Sequence, residues 1–212
     1  MLSFGKIKLR VMEKYIEKLL EIVDFNDGFF IECGANDGVT QSYSYELEQK
    51  NWKGILVEPS KIAFNKCVNN RSDKNIFINC ALVSDENTEN ILGDFDGNLM
   101  SSVNGERLSR NRKLEKVMSR TITSILDEHE IKKVDLFSLD VEGYELEVLK
   151  GLDFNIYSPT YLLIEIYSKD YDNIVNFLKT RNYELLLSTT NFNKIDNPHW
   201  DGTHNDYLFK KI

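Results

Sequence analysis

Phe30 to Glu48 reads FIECGANDGVTQSYSYELE, an apolar run that passes into a segment of helical character across a turn with two glycines, Gly34 and Gly38. Glycines at the end of a strand let the main chain approach a ligand closely. A dinucleotide loop follows the pattern G-x-G-x-x-G, whose backbone and helix start serve a pyrophosphate. Here the spacing is Gly34-x-x-x-Gly38, there is no third glycine, and Asp37 lies inside the turn. A carboxylate is badly placed beside a pyrophosphate and suits a cationic ligand. Glu58 ends the next apolar run, 20 residues beyond Gly38. An acid at that offset accepts hydrogen bonds from both hydroxyls of an unphosphorylated ribose. S-adenosylmethionine has a free ribose, a cationic end and no phosphate. The competing reading is a plain strand–helix turn with Glu58 as a solvated strand end. Cys80-Ala81, small residues at the end of the third run, would let an adenine ring lie flat, although either also suits a core.

Working outward, five short apolar runs cover residues 28–33, 54–59, 76–83, 134–140 and 161–166. Their near-continuous apolarity predicts strands covered on both faces. Helical segments are expected at 41–50, 61–69, 123–130 and 144–150, and this alternation predicts an α/β fold with a doubly wound, mostly parallel sheet and helices on both faces. Residues 170–180 read as a helix, and 183–188 and 206–212 as two closing strands. A polar loop carrying Asn197-Pro198-His199-Trp200-Asp201-Gly202 joins those two. Residues 7–23 have the spacing of an amphipathic helix. The expected organisation is a single domain over 1–212, with a helical extension at 1–27 and a long polar insertion at 84–120 suited to an acceptor-binding lid.

The charge balance is 26 basic against 34 acidic residues, a net −8, which argues against a nucleic-acid backbone or an anionic membrane as main partner. Three cysteines without a C-x-x-C pair predict a reducing, cytoplasmic setting and buried, inert thiols. No apolar run approaches the length of a membrane span.

A second constellation, SLDVEGYELEVLKG at residues 138–151, gathers Asp140, Glu142, Glu145 and Glu147 around a turn with Gly143 at the corner. Helix geometry turns Leu146, Val148 and Leu149 inward and leaves Glu147 and Lys150 outside. Asp140, expected to be buried behind Leu139, and Glu142 fall at a strand end beside the proposed cofactor end of the first strand. Capping of the next helix is the alternative for both.

In order and spacing, FFIECGANDG, WKGILVEPS, INCALVSDE, SRTITSILDE, VDLFSLDVEGYELEVLKGLDF and YLLIEIY resemble the FkbM-type family of class I S-adenosylmethionine-dependent methyltransferases. The resemblance spans residues 28–167, and its most specific part is the D-V-E-G-x-E-x-x-V-L-K-G run. Glu32 departs from the aspartate that many members carry. The resemblance implies a seven-stranded sheet with the last strand antiparallel, and O-methylation, often of a sugar or natural-product hydroxyl. It also implies that Glu32, Gly34, Ala35, Asn36, Asp37 and Gly38 hold the methionine part and that Glu58, with Pro59 beside it, holds the ribose. Cys80 and Ala81 would face the adenine, and Asp140 the reacting sulfonium.

Methyl transfer to a hydroxyl needs alignment and a base. The candidates are Asp140, Glu142, Glu165 and the histidines His199 and His204. A divalent cation on Asp140 and Glu165 is an alternative, with no third ligand evident in the sequence. Basic residues Arg107, Arg110, Arg112, Lys113, Lys116 and Arg120 would suit an anionic or nucleotide-linked acceptor, and Ser101, Ser102 and Asn104 a sugar. The expected acceptor is a sugar or glycan hydroxyl. The rival readings are a non-sugar small molecule or lipid as acceptor, and a non-catalytic interaction domain that keeps the fold.

Overall fold

A computed structural model describes residues 17–85, 89–94, 114–188 and 203–212. It contains β1 (Phe29–Cys33), α1 (Tyr43–Leu47), β2 (Lys53–Val57), α2 (Lys61–Asn70), β3 (Ile76–Ile78), β4 (Ala81–Leu82), β5 (Asn90–Gly93) and β6 (Glu115–Arg120). These are followed by α3 (Ile122–Glu128), β7 (Leu136–Leu139), α4 (Glu145–Lys150), β8 (Tyr161–Tyr167), α5 (Tyr171–Lys179), β9 (Tyr183–Ser188) and β10 (His204–Lys211). Residues 17–22 are helical as well.

Seven strands form one sheet in the order β3-β2-β1-β7-β8-β10-β9. The β2–β3, β1–β2, β1–β7 and β7–β8 pairs are parallel, and β10 runs antiparallel to both its neighbours. Strand order reverses between β1 and β7, which opens a crevice at their carboxyl ends. Along β1 the side chains alternate between two cores. Ile31 and Cys33 pack with Ile55, Val57, Phe137 and Leu139 under Ile125, Val148 and Leu149 of the helices. Phe30 packs with Leu56, Leu136 and Leu163 against Leu19, Tyr43, Leu47 and Cys67. This period of two, with both faces covered, is why the strands read as unbroken apolar runs. Each fully buried side chain of this size contributes about 2 kcal/mol.

Side-chain caps start the helices. Ser42, Ser60 and Thr121 accept from the backbone N–H groups of Tyr45, Ala63 and Ser124 at the starts of α1, α2 and α3. The three cysteines are free and buried, and burial pushes the Cys67 and Cys80 thiols up to about 12. Among the described residues no helix is long and apolar enough to cross a membrane.

One expectation needs correction. The run 76–83 is not one strand. Asn79 Nδ2 donates to the carbonyls of Glu58 and Pro59 at 2.8 and 3.0 Å, the chain turns, and β4 leaves to pair with β6 in a second sheet of order β4-β6-β5. Within the segment 84–120, residues 90–93 and 115–118 pair as the antiparallel strands β5 and β6. Ser101, Ser102, Asn104, Arg107, Arg110, Arg112 and Lys113 lie outside the described residues, as do residues 1–16, His199 and its loop. Of the basic run, Lys116 is exposed on β6 and Arg120 is paired with Glu128 at 2.5 Å.

Candidate active site at the carboxyl edge of the sheet

The glycine turn occupies the crevice. Gly34 has φ +82°, and a Cβ there would lie 1.8 Å from the carbonyl oxygen of Asp140. The first glycine is therefore required by the contact between the ends of β1 and β7 as well as by its backbone angle. Gly34 and Ala35 donate to the Val57 carbonyl at 3.1 Å each, and Asp140 donates to Cys33 at 3.1 Å, so the loop grips both neighbouring strands. Asn36 takes a left-handed conformation, φ 47°, which asparagine tolerates better than most residues.

Glu58 is buried at the end of β2. Its Oε2 accepts from Asn36 N at 2.8 Å and its Oε1 from Ser60 N at 2.7 Å. Burial pushes its carboxyl up to about 7 against the pull of those two bonds. Each oxygen keeps a further lone pair for a ligand hydroxyl. Pro59, which follows it, is half-buried. Cys80 and Ala81 are buried at the turn between β3 and β4, and Cys80 belongs to the core.

Two acids in this stretch serve the loop. Asp37, expected to suit a cationic ligand, caps its own turn: Oδ1 accepts from Val39 N and Thr40 N at 3.0 and 2.7 Å, and Oδ2 from Thr40 Oγ1 at 2.8 Å. Those bonds account for an aspartate here without any ligand. The carboxylate of Glu32 accepts from Ser42 Oγ at 2.9 Å, from Ser44 Oγ, and from Arg71 Nη1 at 3.2 Å. Its bonds run to α1 and to the end of α2, beneath the loop.

At the ends of β7, β8 and β10 a different group forms. Asp140, Glu142 and Glu165 each bring one carboxylate oxygen within 4.8 Å of the others. Asp206 sits directly opposite Glu165 in the β8–β10 register, and His204 Nε2 lies 3.6 Å from Glu165 Oε1. Two tyrosines tie the group down. Tyr167 Oη donates to Glu142 at 2.8 Å, and Tyr43 Oη donates to Asp206 at 2.8 Å. Glu142 holds a left-handed backbone, φ 58°, a conformation that persists only where surrounding structure imposes it. Buried Glu145 imposes it by accepting from Val141 N and Gly143 N at 3.1 and 2.9 Å. Burial pushes the Glu145 carboxyl up to about 7.

Asp140 was expected to be buried and is instead exposed at the crevice. Protein packed around it, and then the charges of Glu142, Asp206 and Glu145, hold its carboxyl well above the usual range. Because water reaches the side chain, the crowding of like charge is the part that persists in solvent. Glu165 is pushed up to about 12, by burial first and then by Asp140 and Asp206, and its Oε2 is buried without a hydrogen-bond partner among the described residues. Glu142 is the third carboxylate that a hard cation on Asp140 and Glu165 would need.

Sequence reasoning missed Arg71, Tyr43, Tyr167 and Asp206. Asp206 was readable only from the β8–β10 register, and Arg71 follows Asn70 at a helix end with no local pattern to mark it.

Residues 32–185 match the methyltransferase FkbM domain. Among solved structures, magnesium protoporphyrin IX methyltransferase from Synechocystis PCC 6803, with bound S-adenosylhomocysteine, is similar with a TM-score of 0.54 and 9% identity over 100% of this chain and 89% of that one. M. capricolum TrmK, also with S-adenosylhomocysteine, gives 0.51 and 12% over 100% and 69%. The fibrillarin pre-rRNA processing protein of Methanococcus jannaschii gives 0.52 and 12% over 88% and 67%. At these identities the likeness is one of fold. No curated protein matches the sequence. The domain match covers more than half of the chain, and the chain belongs to the FkbM-domain methyltransferase family.

Proposed function

We propose that the chain transfers a methyl group from S-adenosylmethionine to a hydroxyl of a sugar or glycan. Methyl transfer from that cofactor is the chemistry of the family. The observation that carries the finer reading is the group Asp140, Glu142, Glu165 and Asp206, set beside the Gly34 loop. A hydroxyl is a poor nucleophile until its proton leaves, and a cluster of carboxyl groups at the strand ends offers that proton a place to go.

In this reading the loop from Gly34 to Gly38 receives the methionine part, Glu58 the ribose hydroxyls, and Cys80 and Ala81 the adenine. S-adenosylmethionine would supply the methyl group, with the C–S bond breaking as the O–C bond forms, and a carboxylate of the group would take the hydroxyl proton. Asp140 is the base favoured by its exposed side chain and by its place at the strand end whose main chain meets Gly34. Glu142, Glu165 and His204 adjoin it. Anchoring and alignment supply most of the acceleration. The three-carboxylate set supports a second reading, a divalent cation polarising the acceptor oxygen.

Calorimetry with S-adenosylmethionine tests the cofactor site. Wild type should bind, and Glu58→Ala should weaken binding by at least about tenfold through loss of the ribose bonds. Binding untouched by that substitution would sink the assignment. Methyl incorporation across sugars, lipids and small-molecule hydroxyls, with and without a chelator, tests the acceptor class and the cation reading.

A further inference from the structure

We propose that Arg71 is a positioning residue for the cofactor loop, which it locks from beneath into the shape that receives S-adenosylmethionine. The proposal rests on the reading of Gly34–Gly38 and Glu58 as the cofactor site. Arg71 caps the end of α2, and its side chain is fully buried. Its Nη1 donates to the Gly38 carbonyl at 2.9 Å and to Ser42 Oγ at 3.2 Å, and its Nη2 donates to Ser44 Oγ at 2.9 Å. Carboxylates flank it, Glu48 at 2.7 Å from Nε and Glu32 at 3.2 Å from Nη1. The preceding residue does the same to the preceding carbonyl, with Asn70 Nδ2 donating to Asp37 O at 2.9 Å. Two consecutive loop carbonyls are thus captured by two consecutive residues of one helix.

The other end of α2 holds the other end of the loop. Glu58, at the end of β2 and three residues before α2 begins, accepts from Asn36 N and from Ser60 N, the N-cap of that helix. The loop is held between the residues that flank the two ends of α2, and the carboxylate proposed for the ribose is one of them. Gly38 fits this arrangement as well. A Cβ there would lie 2.7 Å from Arg71 Cγ and 2.9 Å from Cys67 Sγ, so the second glycine is needed for the arginine stem to pass beneath the turn.

A buried ion network is weak support for stability, since apolar replacements of similar volume often do as well. What the guanidinium supplies that an apolar side chain cannot is several directed donors in a fixed plane. Here they are spent on Gly38 O and on the two serines that open α1. Pre-shaping the loop removes an ordering cost from binding, so a loop that is competent only a tenth of the time binds about tenfold more weakly.

The test compares wild type with Arg71→Lys and Ser44→Ala, and with Arg181→Met as a control whose guanidinium lies 3.4 Å from the Phe177 ring on α5. Each is checked for folding by thermal melt. The expected result is S-adenosylmethionine bound about tenfold more weakly by Arg71→Lys and about threefold by Ser44→Ala. KM for the cofactor should rise with kcat little changed, and hydrogen exchange should quicken at residues 36–40 but not on β8. Arg181→Met should leave affinity and loop exchange alone. Folded Arg71→Lys or Ser44→Ala with wild-type affinity and wild-type loop exchange overturns the proposal. If wild type itself fails to bind, the cofactor reading falls, and loop exchange alone decides whether Arg71 holds the turn.

Discussion

Two groups of acids lie along one edge of the sheet and are treated in opposite ways. Beneath the glycine loop, Glu32 and Glu48 close on the Arg71 guanidinium, with serine hydroxyls filling the remaining valences. At the ends of β7, β8 and β10, Asp140, Glu142, Glu165 and Asp206 face one another. The first arrangement spends its charges on holding backbone. Burial raises the Glu32 carboxyl as well, but Arg71 and two serine hydroxyls pull it back, whereas like charges add to burial in raising Asp140 and Glu165. The same residue types make an ion-paired scaffold in one place and a cluster of like charges in the other, and a guanidinium is what separates them.

The largest expected effect comes from breaking the scaffold side. Arg71→Met leaves buried Glu32 and half-buried Glu48 without their cation and should cost about 3–5 kcal/mol in denaturant unfolding. Adding Glu32→Gln and Glu48→Gln to it should recover most of that loss. A triple variant no more stable than the single one would show that the charges are not the issue.

Proton linkage sharpens the other side. Glu58 and Glu145 are both held near 7 in the fold, against 4.5 for an ordinary glutamate. The folded state therefore binds more protons than the unfolded chain between those values. The contribution of each group is fully present below about pH 4.5 and is lost as pH rises through about 7. It amounts to at most about 3 kcal/mol per group. The stability difference between wild type and Glu145→Gln should shift toward the variant over that window. Parallel pH curves for the two proteins would contradict the assignment.

Next in size is Asp140→Asn, which removes the favoured base. Methyl incorporation should fall by about 100-fold or more, while relief of like-charge crowding leaves stability unchanged or slightly raised. An equal loss of rate and stability would instead give Asp140 a structural role. The smallest effect is expected outside both groups. Lys150 pairs with Glu147 at 2.6 Å on the surface, and Lys150→Ala should change stability by no more than about 0.5 kcal/mol.

Much of the fold was legible because its signals are local. The strand–helix alternation, the closing strand at 183–188 and the helix at 61–69 all follow from apolar period and caps within a few residues. The glycine loop and Glu58 could be singled out for the same reason, since both end apolar runs. Asp37 was read by its type as chemistry for a ligand, and its bonds to Val39 and Thr40 give it a further role in closing the turn that the sequence did not show. The run 76–83 misled because unbroken apolarity cannot report a change of sheet, which Asn79 brings about by bonding to the end of β2.

By itself, then, the sequence determined the class of fold and the family, and it marked the strand ends that carry the glycine turn and the acids. Those properties rest on side-chain period and on motifs contained in short segments. Tertiary structure alone decided which carboxylates meet. Arg71 reaches Glu32 across 39 residues, and Tyr43 reaches Asp206 across 163. Asp206 faces Glu165 only because β10 enters the sheet antiparallel in one register, and a slip of one residue would turn it to the other face. Pairings over such separations depend on how the sheet is assembled, and no local pattern carries them.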